Sequence, residues 1–265
     1  MYAFEFHRPS SVSEAAALLA KSQGKLIAGG QTLVGAMKLR LASPGNLIDL
    51  GSIPELRGIK SEANAIVIGA TTRHAEVAQS PEVSRAIPAL AVLAGGIGDR
   101  QVRNMGTLGG SLANNDPAAC YPAAVLGLGA TVRTNKRSIA ADDFFKGLYE
   151  TALQDDEIIT AVSFPIPQRA AYLKFCSPAS RFAMVGVFVS QGAGGVRLAV
   201  TGAGPCVFRV SEMEQALAKN FSPDAVKGIK VDPSGLNSDL HASAEYRSHL
   251  ITVMAGRAVA QALAR

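Results

Sequence analysis

The chain has no tryptophan, only three cysteines and only 18% charged residues in its 265. Cys120, Cys176 and Cys206 lie far apart and form no Cys-x-x-Cys pair, so the sequence supports neither a zinc site nor an iron–sulfur cluster. His7, His74, His241 and His249 show no metal-ligand spacing either. The longest apolar stretch, around Ala123–Val132, is too short to span a bilayer and is interrupted by glycines. The N-terminus, Met1-Tyr2-Ala3-Phe4-Glu5-Phe6, lacks a charged-then-apolar leader pattern, and the expectation is a cytoplasmic protein. Gly127-Leu128-Gly129 and Gly202-Ala203-Gly204 each lack the third glycine of a Rossmann fingerprint, and no Gly-Lys-Ser/Thr of a P-loop is present. No Ser-His-Asp or Cys-His arrangement stands out, so no catalytic acid, base or nucleophile is assigned.

What is present is a hydrophobic fraction of 48%, that of a globular protein, in a chain of 265 residues, long enough for two domains with real cores or for one larger domain. The net charge of +5 is uneven: residues 1–168 hold 15 basic against 15 acidic side chains, and residues 169–265 hold 11 against 6. The basic residues are scattered rather than interleaved with aromatics, which argues against nucleic acid and for a solvated surface. Ser11-Val12-Ser13-Glu14 reads as a capping box opening a first helix. Lys25–Ala28, Leu47–Leu50, Ala65–Ile68, Ala130–Arg133 and Ile158–Phe164 read as strands. Thr72–Gln79 and Glu82–Ala94 read as two helices divided by Ser80-Pro81. Pro165-Ile166-Pro167-Gln168 marks the best domain boundary, because two prolines stiffen it and remove two donors. Beyond it, Ala171–Phe175, Ala183–Ser190 and Val196–Thr201 read as an antiparallel meander, followed by helices at Ser211–Lys219, Pro223–Lys227 and Ala242–Ala264.

Two glycine-centred segments carry the chemistry: Ala28-Gly29-Gly30-Gln31-Thr32 and Thr107-Leu108-Gly109-Gly110-Ser111. Paired glycines let backbone approach a ligand and turn consecutive N–H groups into one concavity, which suits a pyrophosphate. One Gly-Gly pair is most often a plain turn; two with matched surroundings say more. Ile68-Gly69-Ala70-Thr71-Thr72-Arg73-His74 and Ile97–Ser111 follow in order, then Asn114-Asn115-Asp116-Pro117, Asp156-Glu157-Ile158-Ile159 and Ala244-Glu245-Tyr246-Arg247. With Tyr2–Pro9 at the start, the series covers essentially the whole chain. It resembles the FAD-binding (medium) subunits of the molybdenum hydroxylase, or xanthine dehydrogenase, family.

The resemblance implies an α+β protein: an FAD-binding fold of the PCMH/vanillyl-alcohol-oxidase type with two α/β subdomains, and a C-terminal antiparallel sheet with helices. The FAD-binding domain would span 1–168, with subdomains of about 1–55 and 56–168, and the C-terminal domain 169–265. It implies non-covalent FAD, with the pyrophosphate on Ala28, Gly29, Gly30, Gln31 and Thr32 and on Thr107, Gly109, Gly110 and Ser111. Asn114 and Asp116 would supply polar contacts, Ile158 or Ile159 would pack beside a ring, and Lys174 would lie near the nucleotide. Arg103 would either offset phosphate charge or pair with Asp99 or Glu76. The implied function is electron transfer from a small [2Fe-2S] subunit through FAD to an external acceptor. A large partner would hold the molybdenum cofactor and the hydroxylated substrate. The sequence departs from the family pattern at Cys120, where members commonly carry an acidic residue, and at Phe182, where relatives carry tyrosine. Those departures keep one alternative in view, a nucleotide-binding assembly subunit without flavin redox activity; a stand-alone flavin-dependent reductase of the same broad fold is a second, and it would need a substrate pocket that the sequence does not locate.

Overall fold

The computed structural model describes residues 1–264, which form three larger sheets, each packed on a core, and one two-stranded hairpin sheet. The first unit runs β1 (Glu5–His7), α1 (Val12–Ser22), β2 (Lys25–Ile27), α2 (Leu33–Lys38) and β3 (Asn46–Asp49), with the strands parallel in the order β1-β3-β2. The α1 start is the one read from sequence, with a variation. Ser11 Oγ accepts the Glu14 N–H at 3.2 Å, but the Glu14 carboxylate reaches back to Ser10 N–H at 2.7 Å rather than to Ser11. Ala15, Leu19, Ile48, Leu50, Ile53 and Leu56 form this unit's core, and Ile158 from far along the chain completes it.

The second unit starts with β4 (Ile59–Glu62) and β5 (Ala65–Gly69) and continues through α3 (His74–Gln79), α4 (Pro81–Ala86), α5 (Pro88–Gly95), α6 (Arg100–Met105), α7 (Leu108–Asn114) and α8 (Tyr121–Leu128). Then come β6 (Thr131–Thr134), β7 (Ser138–Ala140), α9 (Ala141–Phe144), the small hairpin β8 (Phe145–Gly147) and β9 (Glu150–Thr151), and β10 (Ile159–Pro165). Its five-stranded sheet has the order β4-β5-β10-β6-β7 with antiparallel pairs throughout. The single helix expected over Glu82–Ala94 is two. Pro88 has no N–H to give and pushes Ile87 out of helical geometry, to φ −138° and ψ 69°. The apolar stretch after Cys120 is α8, buried on every side, and Gly129 at φ +63° ends it.

The last unit is a meander, β11 (Arg169–Cys176), β12 (Ala183–Gly192), β13 (Gly195–Thr201) and β14 (Phe208–Arg209), followed by α10 (Ser211–Lys219) and α11 (Ala244–Leu263). The segment expected as a helix at Pro223–Lys227 is a single 3-10 turn, Pro223–Val226. Alternation along the strands splits the sheet's faces. Val185, Val187, Val189, Leu198 and Val200 pack under α10 and α11, whereas Tyr172, Phe188 and Ala199 join the second unit's core against α8. Gly127 makes the α8 contact possible, because a Cβ there would lie 2.8 Å from the Phe188 ring. A charged network fastens the same seam. Arg197 and Arg209 share Asp142 at 2.7 and 3.2 Å, and Arg209 also grips Glu214 at 2.7 Å. Among the described residues no helix is long and apolar enough to cross a membrane, and no group of His, Cys, Asp and Glu could hold a metal ion.

Two buried titratable groups tie this fold to pH. Glu157 accepts from Arg137 Nε at 2.9 Å, Thr134 Oγ1 at 2.7 Å and Gln154 N–H at 3.0 Å, and the Arg137 bond above all holds its carboxyl down at about 2. His74 is pushed down to about 4, first by burial and then by the Arg103 charge. Both folded values lie below the unfolded ones of 4.5 and 6.5, so the unfolded chain binds more protons between them. Stability is therefore complete above pH 6.5, falls from there toward pH 4 through His74, and falls from 4.5 toward 2 through Glu157. Urea unfolding across this range should show both slopes, with His74→Phe flattening the upper and Glu157→Gln the lower. Slopes unchanged in the variants would remove these two groups from the account.

Candidate functional site

The first glycine segment lies against the backbone that leads into the second. A Cβ placed on Gly29 would stand 2.1 Å from the Met105 carbonyl oxygen and 2.8 Å from Gly106 Cα. Glycine at 29 is thus required by backbone lying directly on backbone. Gly30 follows at φ +68°, in the left-handed region, and turns the chain from β2 into α2. Around this turn the amide N–H groups of residues 28 to 33 donate to no acceptor among the described residues. Ala28, Gly29 and Gly30 are half-buried and Gln31 and Thr32 exposed, so the row opens to solvent. Six consecutive uncommitted donors at a glycine turn are a feature that suits an anion.

The second segment is not the matching loop that the sequence suggested. It is the first turn of α7, with Thr107 as its N-cap. Leu108 and Gly109 donate to the Thr72 and Ala70 carbonyls at 3.1 and 2.8 Å, Gly110 to Thr107 Oγ1 at 3.2 Å, and Ser111 to the Thr107 carbonyl at 3.1 Å. Its amides are therefore engaged within the protein. Gly109 is glycine for packing, since a Cβ would lie 2.7 Å from that of Ala70. Gly110 is different: it is exposed, and its missing Cβ faces only Thr107 Oγ1, at 2.9 Å. What this segment offers outward is bare backbone at Gly110 and the Ser111 hydroxyl. His74 sits beneath it, with its N–H on the Gly106 carbonyl at 3.0 Å and its ring 5.3 Å from that of Tyr121. His74 Nδ1 and the Tyr121 hydroxyl are both buried without a hydrogen-bond partner.

The other predicted residues occupy distinct places. Asn114 ends α7, partly buried, and Asn115 at φ 43° caps it, its amide donating to the Gly147 and Glu150 carbonyls at 2.8 Å each. Asp116 Oδ1 accepts the Ala118 N–H at 2.8 Å, the local turn that Asx residues favour. Ile158 and Ile159 are buried in different cores, Ile158 with the first unit and Ile159 with the second, so β10 begins as a stitch between them. Arg103 takes neither Asp99 nor Glu76. Its Nη1 donates to the Ile97 and Gly98 carbonyls at 2.9 Å each, while Asp99 caps α6 and Glu76 pairs with Arg57.

Lys174 and Cys120 meet, a contact the sequence alone did not disclose. Lys174 Nζ donates to the Gly96 carbonyl at 2.8 Å, the Arg181 carbonyl at 3.1 Å and Cys120 Sγ at 3.5 Å. One ammonium thereby ties α5, the start of α8 and the turn 177–182, where Arg181 is held at φ +62°. Burial and the neighbouring Cys120 push the Tyr172 phenol well above its ordinary value. The turn's tip, Arg181, faces α6 across an open cavity of about 710 Å³ lined also by Asp99, Arg100, Arg103 and Met105. Through Met105 that cavity adjoins the Gly29 contact. Phe182, half exposed, follows Arg181.

Comparison with known proteins places this geometry. The family described as the FAD binding domain in molybdopterin dehydrogenase matches residues 2–167. The carbon monoxide dehydrogenase medium chain of Hydrogenophaga pseudoflava is 36% identical, over 98% of this chain and 96% of its own. The nicotine 6-hydroxylase medium subunit of Paenarthrobacter nicotinovorans is 35% identical, over 99% and 98%. Among solved structures, the Hydrogenophaga carbon monoxide dehydrogenase superposes with a TM-score of 0.88 at 35% identity, covering 99% of this chain and 98% of that one. Quinoline 2-oxidoreductase from Pseudomonas putida 86 gives 0.88 at 28% identity, covering 98% and 97%.

The glycines are predicted to respond unequally to alanine. Gly35, inside α2 with nothing within 4 Å of a Cβ, should gain about 0.5–1 kcal/mol as alanine. Gly29→Ala must push two backbones apart and should lose roughly 2 kcal/mol or more. Urea unfolding of both variants checks this; equal effects would contradict the close approach.

Proposed function

The chain belongs to the family of FAD-binding medium subunits of molybdenum-containing dehydrogenases, and from that premise we propose how its own residues serve electron transfer. It is the flavoprotein component of an oxidoreductase, with FAD held non-covalently. FAD supplies the redox chemistry when bound, and the protein supplies orientation and surroundings. The observation that carries the proposal is the row of uncommitted amides at 28–33, held against the Met105–Gly106 backbone that leads into the second glycine segment. Ala28, Gly29, Gly30, Gln31 and Thr32 are assigned to the pyrophosphate as hydrogen-bond donors. Thr107, Gly109, Gly110 and Ser111 form the facing wall, Gly109 by close packing, Gly110 by leaving room and Ser111 through its hydroxyl. Asn114 and Asp116 are assigned polar roles at the cofactor's edge, and Ile159 backs it from the core. Lys174 acts by positioning, since its three donors hold the turn that carries Arg181 and Phe182.

The division into an FAD-binding part over 1–168 and a C-terminal part over 169–265 belongs to the same proposal. So do the partners. Electrons enter from a small [2Fe-2S] subunit and leave to an external acceptor, and a large subunit holds the molybdenum cofactor and the substrate. With three scattered cysteines, this chain cannot carry the clusters itself.

Gly110→Ala tests the cofactor assignment. Alanine suits the first turn of α7, but its methyl would lie 2.9 Å from the Thr107 hydroxyl that caps the helix, so the variant should fold with a loss of about 1 kcal/mol at most. Its added methyl stands where the cofactor must approach, and FAD affinity should fall about tenfold or more, read from flavin absorbance after dialysis. Stoichiometric flavin in the variant would refute the facing-wall assignment. Cys120→Asp is expected to act mainly on FAD retention, with little change in flavin potential. Residue 120 faces Lys174, and a carboxylate there pairs with the ammonium that holds the 177–182 turn. A shifted potential at unchanged affinity would place residue 120 beside the ring instead.

A further inference from the structure

Tyr172 and Lys174 alternate with Leu173 and so share one face of β11, the face against which α8 begins with Cys120. Lys174 Nζ stands 3.5 Å from Cys120 Sγ, and its other two donors go to the Gly96 and Arg181 carbonyls. The thiol is 5% exposed and lies just beneath this half-buried lysine. A second group serves the same sulfur. Tyr172 is 4% exposed, and its hydroxyl is buried without a hydrogen-bond partner. After burial itself, Cys120 is the neighbour that most raises this phenol's pKa. Gly186 across the ladder makes room for the hydroxyl, since a Cβ there would stand 2.7 Å from it. A buried donor without an acceptor is costly, and an oxygen atom added to Cys120 Sγ supplies one. The other two thiols are placed differently: Cys176 is exposed, and Cys206 donates to the Val207 carbonyl.

We propose that Cys120 and Lys174 are a modification site, closed by hydrogen peroxide into a reversible sulfur–nitrogen cross-link. In the first step Cys120 Sγ attacks peroxide and the O–O bond breaks. One oxygen stays on sulfur as a sulfenic acid, and the other leaves as water with the thiol proton. Sulfur gives up two electrons and peroxide takes them. The Tyr172 hydroxyl donates to the new oxygen. In the second step Lys174 Nζ, having released one proton to solvent, bonds to Sγ. The S–O bond breaks, and the hydroxyl leaves as water with a second proton from the nitrogen. A dithiol reductant reverses the link, returning thiol and amine while itself becoming a disulfide. Neither step draws on the cofactor. The consequence falls on the turn 177–182. The linked nitrogen keeps a single N–H and no charge, so it cannot hold both the Gly96 and Arg181 carbonyls. Oxidation therefore unties that turn from the end of α5.

The test uses the full-length chain as purified, both wild type and a Cys176→Ser/Cys206→Ser variant in which Cys120 is the one thiol left. Each is treated with hydrogen peroxide, digested and mapped by mass spectrometry. The expected product joins the peptides carrying Cys120 and Lys174, is two hydrogens lighter than their sum, and separates again in dithiothreitol. Lys174→Arg should form no link and leave Cys120 as a sulfenic acid that a 1,3-dione probe captures. Tyr172→Phe removes only an unpaired hydroxyl and should slow linking about fivefold. Brief trypsin treatment should cut after Arg181 several-fold faster in the linked chain, an effect that dithiothreitol removes. Cys120 left free at peroxide doses that oxidise the exposed Cys176 overturns the proposal. So does a wild-type disulfide between Cys120 and Cys176, or a linked product one oxygen heavier, which would be an oxygen bridge and not a sulfur–nitrogen bond. Linking at the wild-type rate in Tyr172→Phe contradicts the part given to its hydroxyl, and unchanged cutting after Arg181 contradicts the release of the turn.

Discussion

Gly29 sits where the first unit's turn lies flat against the Met105–Gly106 backbone, and the rest of the site follows from that contact. Because the two backbones leave no space for a Cβ, the turn after β2 is fixed relative to the start of α7. Residues 28–33, with their N–H groups uncommitted, are thereby held beside the backbone that leads into Thr107–Ser111. His74, kept neutral by burial, and Tyr121 support the α7 end from below. The two segments are unlike: the amides of residues 28–33 are uncommitted, and those of residues 108–111 are taken within the protein.

Much of this was legible in the residues. The antiparallel meander after Pro167 and the boundaries of α10 follow from local signals of turn chemistry and period. The ordered motifs along the chain carry the family resemblance by themselves. What escaped was decided by tertiary contact. Glycines in a turn and glycines at a helix start look alike in sequence, so Thr107–Ser111 read as a second loop. Only the carbonyls of Ala70 and Thr72, which take its amides, distinguish it. Arg103 offered carboxylate partners within reach along the chain, yet two carbonyls of its own preceding turn satisfy it. The meeting of Lys174 with Cys120 required the second and third units to pack, which no local pattern encodes.

The packing also explains how one chain joins these parts rigidly. β10 begins with adjacent isoleucines buried in two different cores, and Glu157 just before them is locked by Arg137 and Thr134. β12 is buried on both faces, one side belonging to the second unit's core and the other to the C-terminal helices. The Arg197–Asp142–Arg209 network closes the same seam at its polar edge. The turn bearing Arg181 and Phe182 hangs from this frame by Lys174, which links it to the end of α5 and the start of α8.

The central claim is that the uncommitted amides beside Gly29 hold the cofactor's pyrophosphate. A crystal structure of the chain with FAD bound tests it most directly. The account predicts one FAD per chain, with phosphate oxygens accepting N–H groups from residues within 28–33 and passing over the bare face of Gly110. Phosphates bound elsewhere, with those amides left to solvent, would contradict it.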